Sequence, residues 1–322
     1  MRQREECQFE LWTECNSKCK FCYLSTANIN TPNSIKLKQL DAVIKQIESP
    51  TLCEKFNKIS FIGGEFFQGQ LNDTKVKEKF MCLFDKVSVL LNSNKIDEVW
   101  MCATLTIGDQ KDLFETVNKF KDKSKVWILT SYDTIGRFHT EKMKQDWLNN
   151  LRKVREAYPD IKINITSILT GDFIDKYMNG SLELFDIAKT FNTALFLKPT
   201  CPIDRDEKEK YTKEETNKII PNFFPTRDQF ISFLYKYREN ESDFMYDKLF
   251  NMKYRSDYLF RFDDDEMHCS HRLKDSHQEV YDNSHSDSMI NPCGHSTQYN
   301  IYVDSEECAV CDKEMIKEMV ND

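Results

Sequence analysis

Cys15, Cys19 and Cys22 stand in the run Thr13-Glu14-Cys15-Asn16-Ser17-Lys18-Cys19-Lys20-Phe21-Cys22-Tyr23, a C-x3-C-x2-C triplet with an aromatic residue just before the third cysteine. Three closely spaced thiolates suit a centre that takes three protein ligands. Structural zinc would want four, commonly as two separated pairs. A cubane iron–sulfur cluster held by three cysteines keeps one iron open to a further ligand. That open iron would make the cluster a reagent and not only an electron carrier. An incomplete zinc knuckle, or three thiols near one another by chance, is the plain alternative.

A second signal bears on that choice. Lys58-Ile59-Ser60-Phe61-Ile62-Gly63-Gly64-Glu65 reads as a buried strand running straight into two glycines and an acid. Adjacent glycines after a strand let a backbone edge approach a ligand closely, and Glu65 can accept a hydrogen bond from an ammonium group. Taken together, the triplet and this strand end resemble the radical S-adenosylmethionine (SAM) superfamily, in which C-x3-C-x-aromatic-C is followed by a glycine-glycine-glutamate strand end.

The resemblance implies a 4Fe–4S cluster on Cys15, Cys19 and Cys22, with the amino and carboxylate groups of SAM on the fourth iron. Reductive cleavage of SAM would then give a 5′-deoxyadenosyl radical that abstracts hydrogen from a substrate, with the protein supplying position and electrostatics. It also implies that the backbone at Phe21 faces the adenine, and that Gly63 and Gly64 bring a strand edge to the SAM amino group beside Glu65. Past the fourth strand, Ser131 and Asp133 suit ribose hydroxyls and Arg137 suits the SAM carboxylate. Ordinary turn polarity is the alternative for these three, since Ser131-Tyr132-Asp133-Thr134-Ile135-Gly136 is turn-rich. Ile165 and Ser167, with Leu197, Lys198 and Pro199, are weaker candidates for the adenine border.

The elements that must position these residues follow from periodicity. Strands are expected at Cys7–Thr13, Ile59–Ile62, Val99–Thr106, Val126–Thr130, Ile161–Leu169 and Ala194–Lys198. Between them run helical patterns, such as Leu37, Leu40, Val43, Ile44 and Ile47 with Ser34 as cap, and Met143 to Val154 with Thr140 near the cap. Six β-α units in succession imply a parallel sheet with helices outside. The expected fold class is α/β, a partial (β/α)6 TIM-like barrel with a small Cys/His-rich C-terminal metal-binding extension. The barrel would occupy residues 1–200, a connector and helical segment 201–260, and the extension 261–322. In such folds the chemistry gathers at the C-terminal ends of the strands, where the cysteine loop and Gly63–Glu65 both fall. A capping-box pattern at Thr226 and Gln229 opens a helix within the connector.

The extension holds five of the six histidines (His268, His271, His277, His285 and His295) and the cysteines Cys269, Cys293, Cys308 and Cys311. It is acidic, with 5 Lys+Arg against 15 Asp+Glu, and poor in apolar side chains. A small polar unit of this kind needs a staple, and a metal is the one available. The expectation is an auxiliary iron–sulfur cluster on those four cysteines. Zinc is the competitor, because the neighbouring histidines add nitrogen ligands.

Over the 322 residues the net charge is −8, yet the chain before residue 261 carries 40 basic and 38 acidic residues. A body so nearly neutral lacks a polyphosphate-binding stripe. The start is polar and without a signal-peptide pattern, and no apolar run approaches a membrane span. Twelve cysteines without a secretory pattern read as metal ligands and buried thiols, so a cytoplasmic enzyme is expected. Its partners would be SAM, an electron donor such as flavodoxin or ferredoxin, and a substrate. A peptide or protein is preferred because auxiliary-type extensions recur in that branch of the superfamily. The alternatives are a nucleotide or RNA base, or a metal-stapled binding or electron-transfer protein without SAM chemistry.

Overall fold

The computed structural model describes residues 6–20 except Thr13 and Lys18, and residues 31–199 except Ile107 and Thr134. It also describes eight positions between 222 and 237 and the backbones of three short strands beyond 277. Six strands and the helices between them form the frame: β1 (Glu6–Glu10), α1 (Asn33–Ile47), α2 (Pro50–Lys55), β2 (Lys58–Ile62), α3 (Thr74–Asn92) and β3 (Glu98–Cys102). They continue as α4 (Lys111–Asn118), β4 (Val126–Ser131), α5 (Glu141–Ala157), β5 (Lys162–Leu169), α6 (Gly171–Met178), α7 (Glu183–Thr190) and β6 (Ala194–Pro199).

β1 to β6 lie side by side in chain order and every neighbouring pair is parallel. β6 does not pair with β1, so the sheet is not closed, as in a partial TIM-like barrel. At the β1 edge three further strands are added: β7 (Gln278–Asp282) parallel to β1, then β8 (Ser288–Ile290) antiparallel to β7, and β9 (Ser296–Thr297) antiparallel to β8. The acidic extension thus contributes backbone to the sheet itself, an association that its composition did not suggest.

Alternation along the strands separates the two faces. Cys7, Phe9, Ile59, Phe61, Val99, Met101, Val126, Ile128 and Ile165 are fully buried under the helices. Phe61 packs on Phe84 of α3 with ring centroids 4.8 Å apart, and Trp147 of α5 donates to Thr130 of β4 at 3.0 Å. Full burial of one such aromatic or aliphatic side chain contributes about 1.5–3 kcal/mol. The opposite face carries partly buried groups, including Lys58, Trp100, Trp127 and Lys162, with the two indoles stacked at 4.3 Å. Ile165 and Ser167 pair in register with residues of the helix-covered face, and so does Leu197. Thr166 and Ile168 stand on the other face.

Several boundaries differ from expectation. α1 is preceded by Pro32 as N-cap, not Ser34, because Pro32 itself is extended at ψ 140° and the helix begins directly after it. Thr140 does cap α5, accepting from Met143 N. α2 and α6 were not foreseen. Gln229, Ser232, Phe233, Lys236 and Tyr237 are helical, and Gln229 donates to Asp175 of α6 at 2.8 Å. Phe233 and Tyr237 are fully buried and pack on Tyr177. Among the described residues no helix is long and apolar enough to cross a membrane.

Candidate functional site

All six parallel strands end on one edge of the sheet, and the segments leaving β1, β2, β3 and β4 meet there. Beyond β1 the chain stays in contact with the end of β2: Leu11 N donates to Ile62 O at 3.3 Å, Gly64 N to Trp12 O at 2.8 Å, and Glu65 N to Glu14 O at 2.8 Å. Gly63 has φ +134°, a conformation that disfavours any side chain. This turn lets the backbone fold across the exit of β1, directly before Cys15.

Glu65 is fully buried. Its Oε1 accepts from Phe66 N at 2.9 Å and Phe67 N at 2.8 Å, and its Oε2 accepts from Thr104 N at 2.6 Å. The sequence suggested an acid open to an ammonium group; here the carboxylate holds three backbone N–H groups that would otherwise lack partners. Burial pushes its carboxyl above the usual range, opposed by the hydrogen bonds from Thr104, Phe67 and Phe66. Trp12 Nε1 donates to Glu65 O at 2.9 Å, so the same residue is held at both its side chain and its carbonyl.

The cysteine loop is fixed from three sides. Asn16 Nδ2 donates to Gln68 O at 2.7 Å, while Ser17 Oγ lies 3.3 Å from Thr106 Oγ1 beyond β3. Thr106 in turn donates to Gln68 Oε1 at 3.2 Å. Glu14 pairs with Lys36 of α1 at 2.6 Å, with both side chains largely buried, and Lys36 also reaches Gln70 O. From the β4 side, Lys20 N donates to Gly136 O at 2.8 Å, and His139 Nε2 donates to Ser17 O at 2.9 Å. Lys36, Gln68, Thr104 and Thr106 were missed in the sequence, because single polar residues carry no spacing signal.

Cys19 is buried, and Arg137 Nη1 donates to its sulfur at 3.3 Å. A cation beside a thiol favours the thiolate, the form that binds metal. Cys15 is half-buried at the mouth of the same loop. Asp133 and Arg137, expected to meet a ligand, meet each other: Arg137 Nε lies 2.5 Å from Asp133 Oδ2. Asp133 Oδ1 accepts from Ile168 N at 2.7 Å, so both its oxygens are engaged. Ser131 is half-buried at the end of β4. Phe21, Cys22, Cys269, Cys293, Cys308 and Cys311 lie outside the described residues, and among the described ones no three ligating side chains converge. The donor set nevertheless fits a thiolate-bound centre. Cys15 and Cys19 share one braced loop, and a guanidinium faces the sulfur of Cys19.

No protein-family model matches the chain, and no curated protein matches it in sequence. Among solved structures, SuiB from Streptococcus suis, crystallised with S-adenosylmethionine, aligns at 14% identity and TM-score 0.43, over 86% of this chain and 56% of SuiB. Endo-glycoceramidase II from Rhodococcus sp. aligns at 10% identity and TM-score 0.30, over 56% of this chain and 49% of that one. N-acetylneuraminate lyase from Mycoplasma synoviae aligns at 11% identity and TM-score 0.22, over 88% and 92%. This chain thus spans about half the length of the first two. Likenesses this weak carry no argument about function, which rests on the residues themselves.

Proposed function

We propose that the chain is a radical SAM enzyme. The observation that carries this reading is the junction of two motifs: the residues leading from β1 into the C-x3-C-x2-C loop, Trp12 and Glu14, accept through their carbonyls from Gly64 N and Glu65 N at the end of β2, and the Trp12 indole donates back to Glu65 O. Cys15, Cys19 and Cys22 would hold a 4Fe–4S cluster. When bound and reduced, that cluster supplies the electron that cleaves SAM to methionine and a 5′-deoxyadenosyl radical, which takes a hydrogen atom from substrate.

The chain's own residues would do the positioning. Gly63 and Gly64 bring bare backbone to the amino group of SAM, and Glu65 keeps that turn rigid from below. The backbone at Phe21 would face the adenine. Ser131 would meet the ribose hydroxyls, and Asp133, which accepts from Arg137 and Ile168 N, would brace the guanidinium beside it. Water would be limited around the sulfurs by the burial of Cys19, Trp12 and Phe66.

The substrate would be a peptide or protein. The support for this choice is the Cys/His-rich extension, whose backbone pairs with β1 from Gln278 to Asp282 and so flanks the strand that delivers the cysteine loop. Cys269, Cys293, Cys308 and Cys311 would form the second metal centre, and a flavodoxin or ferredoxin would donate the electron. Anaerobic reconstitution followed by dithionite reduction with SAM tests the reading. Deoxyadenosine is expected, and its absence from iron-loaded protein would refute the assignment.

A further inference from the structure

We propose that Arg137 is a positioning residue for the Cys19 thiolate and raises the reduction potential of the centre that the three cysteines would hold. This rests on the reading of Cys15, Cys19 and Cys22 as cluster ligands.

Three contacts define the arrangement. Arg137 Nη1 donates to Cys19 Sγ at 3.3 Å, Arg137 Nε reaches Asp133 Oδ2 at 2.5 Å, and Asp133 Oδ1 accepts from Ile168 N at 2.7 Å. The aspartate side chain is 1% exposed and the arginine 13%. The backbone closes the same junction one residue along, where Lys20 N donates to Gly136 O. Gly136 has φ +80°, which allows the chain to turn so that Arg137 follows directly onto the sulfur.

A guanidinium grips a carboxylate best with two adjacent N–H groups. The side-on pair, Nε with Nη2, is broken by Asp133. Nη1 gives one of its two N–H groups to Cys19. With Nε on Asp133 and Nη1 on Cys19 the guanidinium is turned toward sulfur, and that is the role proposed for it in place of holding the ligand carboxylate. Hydrogen bonds to cluster sulfurs and nearby positive charge both favour the reduced, more negative state. Asp133 fixes the guanidinium angle and is itself held by β5, so the effect is built on strands and not on a loose surface arginine.

The full-length protein, reconstituted without oxygen, tests this by EPR-monitored potentiometry and iron analysis of Arg137→Gln and Asp133→Asn. Asp133→Asn keeps an acceptor for Ile168 N while losing the charge that anchors Arg137. The expected result for Arg137→Gln is full iron content with about a tenfold lower ratio of reduced to oxidised cluster at fixed potential, ~59 mV for a one-electron couple. Asp133→Asn should shift in the same direction by less. SAM affinity by calorimetry should change by no more than about twofold in Arg137→Gln, well short of the tenfold that ~1.4 kcal/mol would give. Unchanged potentials with intact iron would overturn the role. So would lost SAM affinity at unchanged potential, which would return Arg137 to the ligand carboxylate. Loss of iron from Arg137→Gln, with Asp133→Asn normal in iron and potential, would make the contact structural only and would also overturn it. Wild-type protein that takes up no iron would refute the cysteine reading itself, a result distinct from each of these.

Discussion

Trp12 Nε1 donates to the carbonyl of Glu65 across 2.9 Å, joining the exit of β1 to the exit of β2 inside the core. The indole is 1% exposed and sits edge-on to Phe66 at 5.4 Å, so its placement is fixed by packing as well as by the bond. Cys15 lies three residues beyond Trp12. The position of the cysteine loop is therefore inherited from the hydrophobic core, and a buried acid with its backbone partners forms the other half of the joint.

Glu65→Gln should destabilise the fold. An amide can serve Phe66 N and Phe67 N with its oxygen, but its NH2 group then faces Thr104 N–H, leaving a buried donor unsatisfied. The expected loss is about 1–3 kcal/mol, read from urea unfolding. Stability equal to wild type would show that the carboxylate is not needed as a strut.

The same acid has a pH signature. Because burial raises its carboxyl pKa, the folded chain keeps this proton to higher pH than the unfolded chain. Its contribution to stability is thus largest at low pH and falls as pH rises through the interval above the ordinary carboxylate value. Glu65→Gln should remove that downward slope. A slope identical in both proteins would contradict the assignment.

Gly63→Val should weaken SAM binding and lower stability together. Valine at φ +134° is strained by about 1–3 kcal/mol, and its branched side chain would stand where backbone is expected to approach a ligand. Calorimetry and urea unfolding on the iron-loaded variant check both effects. Reduced stability with unchanged SAM affinity would make the turn purely structural.

The strand order, the helices with long apolar stripes and the meeting of the two motifs were legible because each rests on a period or a fixed spacing. Phe80, Phe84 and Val87 announce α3 in this way, and Val99 and Met101 announce β3. The supporting contacts were not legible. Lys36 pairs with Glu14 although nothing in the helical pattern of α1 marks it as buried. Thr104 and Thr106 extended the expected third strand, but the ordered strand stops at Cys102 and the threonines turn to Glu65 and Ser17. Which face Ile165 and Ser167 occupy was not legible either, since a strand's pleat fixes only which residues share a face, not which face the helices cover. Strand β7 was hidden because its pairing partner, β1, is more than 260 residues away in sequence (278 − 10 = 268).

The extension should bind its own metal centre. Residues 261–322 are too acidic and too poor in apolar side chains to order by burial alone, and neutralising four thiolates would supply the missing folding energy. In protein with Cys15, Cys19 and Cys22 replaced by Ala, purified without oxygen, about four irons per chain should remain, the content of one cubane cluster. Stoichiometric zinc without iron would replace that cluster with a structural site. Neither metal would refute the role given to Cys269, Cys293, Cys308 and Cys311.

The central claim is that Cys15, Cys19 and Cys22 hold a cluster that cleaves SAM, and the direct measurement is deoxyadenosine formed per chain after dithionite reduction. Wild-type protein reconstituted with iron and sulfide should form it, and the Cys15/Cys19/Cys22 triple-Ala protein should form none while losing the charge-transfer absorbance of one cluster. Equal deoxyadenosine from both proteins would contradict the account.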